Sequence, residues 1–270
     1  MRRWPDSPGG CAVASEWFVR YRPASASRVR LFCFPYAGGG AAIYRPWSQA
    51  LAAHVDVCAL QLPGRETRIR EHPVSSMDAI VDAAVQHMRT ELDLPFALFG
   101  HSMGSVIAFE VARRLNAEGL PSPMHVWLSA RRAPGIVDPD PPLSQLDDDR
   151  FVEALDRRYG GIPAEVRADR ELMALLLPGL RGDIAALESH VLQAEPRLDC
   201  PLTVLGGSAD PRAPINQLDA WRTATTGAFR IRIFDGGHFY IVPRRAELLA
   251  EVSHAIDQVH SSASSIGLRA

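Results

Sequence analysis

A serine hydroxyl becomes a nucleophile at neutral pH only with a base beside it. One serine in this 270-residue chain sits where such an arrangement is built. Ser102 is the centre of Gly100-His101-Ser102-Met103-Gly104, a Gly-x-Ser-x-Gly pattern. The apolar run Phe96-Ala97-Leu98-Phe99 precedes it, and Ser105 to Ala112 follows with helical periodicity. Strand, sharp turn and helix in that order put the serine on a strained elbow, with its hydroxyl pushed out at the top of a sheet. Gly100 and Gly104 have a mechanical reason to be there, since side chains at those positions would meet the neighbouring strand and helix. The Met103 amide opens the helix, so its N–H is free to face whatever Ser102 attacks.

The base must come from elsewhere in the chain. Of nine histidines, His54, His72, His87 and His190 fall in helices or polar loops, His254 and His260 in or after the last helix, and His125 at the start of a strand. His101 lies inside the elbow and faces away from the side that Ser102 uses. His238 differs: it stands in Asp235-Gly236-Gly237-His238-Phe239, just past the last strand. In an open α/β sheet that edge is where sites assemble. The acid that orients the imidazole should follow the preceding strand. Leu205-Gly206-Gly207-Ser208-Ala209-Asp210 supplies Asp210 there. Asp235 is the rival because it is near His238 in sequence, but the position after the penultimate strand favours Asp210. Asp183 and Asp199 lie within and at the exit of a helical insertion. A carboxylate in this place holds the imidazole tautomer and stabilises the imidazolium. An oxyanion needs two donors. Met103 N–H is one, and Ala37 N–H, in the loop Tyr36-Ala37-Gly38-Gly39-Gly40, is the expected second. That glycine loop is not a phosphate loop, because no Gly-Lys-Ser/Thr follows it.

The elements that must position these residues alternate. Strand patterns occur at Val29–Pro35, Val55–Leu60, Phe96–Gly100, Val126–Ala130, Leu202–Gly207 and Phe229–Phe234, with a short edge strand near Trp17–Val19. Helical patterns fall at Tyr44–Ala53, Met77–Leu92, after the elbow, at Ile215–Thr223, and from behind Pro243 to near Val259. Strand and helix in alternation imply an α/β fold with a mostly parallel twisted sheet flanked by helices. From Arg131 to Pro196 the strand rhythm stops. Pro134, Pro139, Pro141 and Pro142 mark an irregular exit, and helices are expected near Asp147–Tyr159, Ala168–Leu177 and Leu180–Leu192. So long a stretch exceeds one crossover and reads as a helical lid insertion. The expected organisation is a flexible leader over 1–15, a core over 16–133 and 197–260, a lid over 134–196, and a disordered Ser-rich tail over 261–270.

Composition narrows the classes. A net charge of −2 leaves no basic footprint for nucleic acid. All 29 basic side chains are Arg, which excludes a lysine nucleophile or Schiff base. Four cysteines (Cys11, Cys33, Cys58 and Cys200) form no CxxC pair, so no metal or redox site is indicated, and the low count fits a reducing cytoplasm. No apolar h-region follows Met1-Arg2-Arg3, so neither a signal peptide nor a membrane span is expected.

Taken together, Gly-His-Ser-Met-Gly, Phe34-Pro35-Tyr36-Ala37-Gly38-Gly39, Leu62-Pro63-Gly64-Arg65, Ser129-Ala130-Arg131-Arg132-Ala133-Pro134 and Gly236-Gly237-His238-Phe239 resemble a type II thioesterase. These are stand-alone α/β-hydrolase enzymes that accompany polyketide and nonribosomal peptide synthases. The resemblance runs from Trp17 to the last helix. It implies a triad of Ser102, Asp210 and His238, an oxyanion hole of the Ala37 and Met103 amides, and no cofactor. It also implies acyl or peptidyl carrier proteins as partners, engaged through the acyl-phosphopantetheine arm, and an editing role that clears stalled or aberrant acyl groups. Arginines such as Arg65, Arg131 and Arg132 would meet the acidic carrier. Tyr36, Gly182 and His190 stand where the family commonly has His, Ala and Tyr, departures that bear on pocket shape rather than chemistry. An esterase, lipase or chain-releasing enzyme on the same fold, and a non-catalytic synthase-binding module, are the alternatives.

Overall fold

The computed structural model describes residues 16–22 and 27–266, with side chains as far as 258. The leader expected over 1–15 and the last four residues lie outside the described residues. Among the described residues, seven strands form one sheet in the order β1-β3-β2-β4-β5-β6-β7. They are β1 (Phe18–Val19), β2 (Val29–Phe34), β3 (Val55–Leu60), β4 (Phe96–His101), β5 (Val126–Ser129), β6 (Leu202–Gly207) and β7 (Phe229–Phe234). Only β1 is antiparallel, pairing Phe18 with Leu60, and the other five pairings are parallel. β3, β4, β5 and β6 are buried along their whole length, as a parallel sheet covered on both faces requires. β7 alternates instead, with Arg230 and Arg232 exposed, because it is an edge.

Period-two alternation divides the core between the two faces. Phe32, Phe34, Leu98, Leu128 and Val204 pack with α2 (Met77–Met88) and α3 (Met103–Ala117). Leu31, Cys33, Phe99, Trp127 and Leu205 pack with Trp47 of α1 (Arg45–Ala50) and with Leu248, Val252 and Ile256 of α8 (Arg245–Ile266). Several expected helices are shorter in α-helical form. The first stops at Ala50, the second passes into a 3-10 turn at Arg89–Glu91, and α7 covers only Ile215–Leu218 before a 3-10 stretch to Ala224. α8 runs beyond Val259 to Ile266, into the stretch expected to be a disordered tail.

Between β5 and β6 lie α4 (Asp148–Tyr159), α5 (Ala164–Ala168) and α6 (Arg170–Ser189). Asp147 caps α4 by accepting from the Arg150 N–H, and Asp169 caps α6 by accepting from Glu171 and Leu172. The two helices expected at 168–177 and 180–192 are one. Pro178 sits inside it and removes a single backbone donor. Leu180, Ile184 and Leu187 form a stripe at helical spacing on its buried side, and that packing outweighs the proline. Glu188 of α6 accepts from the Leu143 and Ser144 amides, at 2.5 and 3.0 Å, which ties the irregular segment before α4 to the helix. Among the described residues no helix is long and apolar enough to cross a membrane.

Two expectations follow from this packing. A Cβ on Gly100 would lie 1.9 Å from the Gly104 carbonyl oxygen, and one on Gly104 would lie 1.9 Å from that of Phe34. Both clashes are with backbone, which cannot swing aside. Gly100→Ala and Gly104→Ala should each abolish cooperative folding in a thermal melt. Gly119→Ala, with φ +66° but nothing within 4 Å, should cost only about 1 kcal/mol. A melt of either elbow variant matching that of Gly119→Ala would contradict the packing.

His125 supplies the second. Its ring is stacked on Trp127 with centroids 4.1 Å apart, and Nε2 is 2.8 Å from the Thr203 hydroxyl. Burial, assisted by the Arg230 charge, pushes its pKa down from 6.5 to about 4. The unfolded chain therefore binds the extra proton first, and stability is lost as pH falls from 6.5 towards 4. His125→Gln should flatten that part of the Tm-against-pH curve, and an unchanged slope would count against it.

Candidate active site

Ser102 joins the end of β4 to the start of α3 with φ 55° and ψ −110°, a conformation unfavourable for a residue with a side chain. Its own N–H donates to the Ser129 carbonyl at 2.8 Å. Ser105, one turn into α3, braces the bend. Its hydroxyl reaches the carbonyls of Gly100 at 2.9 Å and Ser129 at 2.8 Å, and it accepts from the Ser129 N–H at 2.9 Å. Nothing in the sequence reading singled Ser105 out. The available signal was a small hydroxyl residue in the first turn of a helix whose start had to lie against two strands.

The loops after β6 and β7 bring the other two residues to the same edge. His238 Nε2 is 3.0 Å from Ser102 Oγ, and His238 Nδ1 is 2.9 Å from Asp210 Oδ2. Asp210 also accepts from the Arg212 backbone N–H at 2.8 Å through Oδ1, which fixes the carboxylate plane. With the carboxylate as acceptor at Nδ1, that nitrogen carries the proton and Nε2 is left to accept from the serine hydroxyl. All three residues are buried. A hydroxyl hydrogen-bonded to an imidazole that a carboxylate orients is the arrangement a serine nucleophile needs. Asp235, the rival acid, is exposed and ion-paired with Arg244, and it accepts from Ser208. Asp199 takes the Ser122 hydroxyl at 3.4 Å. Met103 is the first residue of α3, where a backbone N–H has no carbonyl one turn back. Ala37 lines the same cavity as Ser102 and His238.

Around this centre the aromatic packing is dense. His238 lies 5.3 Å from Tyr159 and from His101, and 5.1 Å from Phe239, centroid to centroid. His101 faces away from the serine hydroxyl, as read from the sequence: its Nδ1 is 2.7 Å from Ser129 Oγ, which in turn is 2.5 Å from the Tyr240 hydroxyl. Burial holds the pKa of His101 well below 6.5. Burial likewise pushes the Tyr240 phenol well above its usual value, so this chain stays neutral. Tyr159, contributed by α4, was not anticipated. Its ring stands between His238 and the Arg212 guanidinium, which lies 5.0 Å from the centroid.

Two cavities open on Ser102 and His238, and Tyr159, Ile184 and Leu187 belong to the walls of both. The first, of about 350 Å³, is bounded by Ile43, Leu155, Met173, Leu176, Leu180 and Phe239. The second, of about 700 Å³, carries charge: Arg131, Arg132, Arg158, Arg212, Asp138 and Asp140 line it. Arg212 pairs with both aspartates, Arg132 with Asp138 at 3.2 Å, and Arg158 with Asp140 at 3.8 Å. Arg131 alone of these four makes no ion pair among the described residues. Arg65, expected at the carrier surface, is only 5% exposed, and both of its terminal nitrogens bind Asp183. Its charge is spent inside the protein, so it cannot meet a partner.

Comparison with known proteins identifies the family and the fold. Residues 29–256 match the thioesterase domain family. The gramicidin S biosynthesis protein GrsT of Aneurinibacillus migulanus is 36% identical over 235 residues, covering 87% of this chain and 91% of GrsT. Among solved structures, the type II thioesterase BorB from the borrelidin biosynthetic cluster superposes with a TM-score of 0.80 at 36% identity, covering 88% of this chain and 97% of BorB. YbtT, the type II thioesterase of the yersiniabactin NRPS/PKS pathway, gives 0.80 at 30% identity, over 90% and 99% of the two chains. The sheet, the elbow and the match across most of the chain lead to one assignment: this chain belongs to the thioesterase family, among relatives that are type II thioesterases on the α/β-hydrolase fold.

Proposed function

We propose that this protein is a serine thioesterase that removes acyl groups from the phosphopantetheine arms of polyketide or nonribosomal peptide carrier proteins, clearing stalled or aberrant ones. The observation that carries the reading is the Ser102–His238–Asp210 relay at the meeting point of two cavities, one walled by leucines, Met173 and Phe239 and the other carrying four arginines and two aspartates. A thioester of that kind has two unlike halves, an acyl chain and a hydrophilic arm; the leucine-walled cavity suits the first, and the charged side chains of the other suit the second.

In this reading His238 Nε2 takes the Ser102 proton as Oγ attacks the thioester carbonyl. The Ala37 and Met103 amides hold the developing oxyanion, where donors in a water-poor site have their greatest effect. Asp210 stabilises the imidazolium. The carbon–sulfur bond breaks, the imidazolium returns the proton to the departing thiolate, and an acyl-serine remains. Water then gives a proton to His238 and attacks that ester, releasing the acid and restoring Ser102. The segment 134–196 acts as the lid over the acyl cavity. Arg131, with its charge unspent, faces the arm in the second cavity. The setting is the cytoplasm, where the synthases work.

Ser102→Ala should lower hydrolysis of acyl-carrier protein by about a thousandfold or more while leaving Tm within a few degrees of wild type. Turnover close to wild type would overturn the assignment. Asp210→Asn should lose roughly three to four orders of magnitude in kcat, through the wrong imidazole tautomer. Asp235→Asn should stay within about twofold of wild type, since an exposed ion pair contributes little. The reverse ranking of the two aspartates would reassign the acid. Steady-state kinetics on one acyl-carrier substrate reads all three.

A further inference from the structure

The loop that presents Ala37 does not hold itself. The Gly39 N–H donates to the Tyr36 carbonyl at 2.9 Å and Gly38 has φ +78°, the pattern of a type II turn with glycine at its third position. The central peptide of such a turn, here Ala37–Gly38, is the one that flips between type I and type II, and its N–H points out of the turn. In this protein that N–H donates to Asp183 Oδ2 at 2.7 Å. Asp183 is not in the core sheet. It lies on α6, 145 residues further along the chain, and it is fully buried.

Arg65 completes the arrangement. Its Nη1 and Nη2 reach the two Asp183 oxygens at 2.6 and 2.7 Å, and Nη1 also donates to the Gly39 carbonyl at 3.0 Å. One buried carboxylate and one buried guanidinium thus grip both sides of the turn. A flip of the 37–38 peptide would swing a carbonyl oxygen towards the Asp183 carboxylate, which repels it. Leu180, also on α6, closes over the same glycine: a Cβ on Gly38 would come within 2.7 Å of its Cδ1.

We propose that Asp183, with Arg65, is a positioning residue for the oxyanion loop: the Ala37 N–H lies on the 36–37 peptide, and it keeps its aim only while α6 pins the next peptide of the turn, 37–38, and the Gly39 carbonyl beyond it. A lid helix that lifts takes the acceptor of Gly38 N–H away with it, and the oxyanion site is then no longer held together. This rests on the reading of Ala37 as an oxyanion donor. It adds that the donor depends on a residue that does not touch substrate.

A buried ion pair that merely held the lid would behave differently when removed: Tm would fall or KM would rise, with turnover of bound substrate retained. The test uses the full chain, an acyl-N-acetylcysteamine thioester as substrate, and the matching trifluoromethyl ketone, which forms a tetrahedral oxyanion adduct on serine. Asp183→Asn keeps an oxygen able to accept from Gly38 but leaves Arg65 without its counter-charge. The double variant Arg65→Met/Asp183→Leu removes both charges at similar volume, a replacement that buried pairs often tolerate. Loss of aim at one donor should lower kcat of the double variant by about tenfold to a hundredfold with KM within about twofold. Affinity for the ketone should fall by the same factor as kcat/KM. Asp183→Asn should lie between it and wild type.

Unchanged kcat and ketone affinity in a variant that melts like wild type would overturn the proposal, as would a loss confined to KM. Amide hydrogen exchange of the wild-type protein tests the same contact without any substitution. The Gly38 amide should be as protected as those of α6 around Asp183, and free exchange at Gly38 beside a protected α6 would overturn the proposal. Ser102→Ala, run in parallel, separates the two levels. Its retaining turnover would defeat the underlying serine reading, whereas its inactivity together with silent Asp183 variants would defeat only this inference.

Discussion

Ser102 occupies φ 55° and ψ −110°, a backbone state that costs on the order of 1–3 kcal/mol for a residue with a side chain. Such a state persists only where the surroundings leave no alternative, and here they are unusually close. α3 passes so near β4 and β2 that Gly100 and Gly104 have no room for a Cβ. The Ser102 N–H and the Ser105 hydroxyl both bond to Ser129 at the end of β5. The bend is therefore clamped by the two strands on either side of β4 as well as by its own helix. A serine on a relaxed turn would let its hydroxyl wander over rotamers and positions. On this one the hydroxyl projects towards the carboxyl edge, where every other group of the site converges.

That convergence follows from parallel pairing. β2, β4, β5, β6 and β7 all run the same way, so their exit loops share one rim. Ala37, Ser102, Arg131, Asp210 and His238 each follow a different one of these strands. The loops after β6 and β7 are further locked to each other, with the Ala209 N–H on the Gly236 carbonyl at 2.9 Å and the Ser208 N–H on that of Phe234 at 2.8 Å. Asp210 and His238 are thus set at a fixed spacing before either meets the serine.

Much of this was legible in the sequence, because short-range pattern encodes it. The elbow announces itself through glycine spacing between a buried run and an amphipathic helix. Strand order alone separates Asp210 from Asp235, although Asp235 is far nearer to His238 along the chain. What failed to show had its cause at long range. Pro178 reads locally as a helix break, and only the buried stripe Leu180–Ile184–Leu187 tells that α6 continues through it. Arg65 reads as one more surface arginine in a chain whose basic side chains are all arginine; its partner lies 118 residues away. Tyr159 and Ser105 have ordinary neighbours in sequence, and their roles arise from what the fold lays against them.

The helical segment between β5 and β6 is bound to the core by two unlike means, and the contrast is informative. Towards the apolar cavity it offers Leu155, Met173, Leu176 and Leu180, side chains that slide and repack at little cost. Towards the loop 62–74 it offers glycines. A Cβ at Gly179 would stand 3.0 Å from the Gly64 carbonyl oxygen, and one at Gly182 would stand 3.1 Å from Pro73 Cβ and 3.2 Å from the Val74 carbonyl oxygen. Two glycines three residues apart lie on one face of α6, and they let the helix backbone approach closely enough for the short Asp183 side chain to reach Arg65 and Gly38. A charge pair buried at that depth is sensitive to small displacements in a way that leucine packing is not, because its desolvation is offset only at good hydrogen-bond geometry. The apolar contacts therefore tolerate small shifts of the segment, while the polar contact favours one register of α6 against the loop of Ala37.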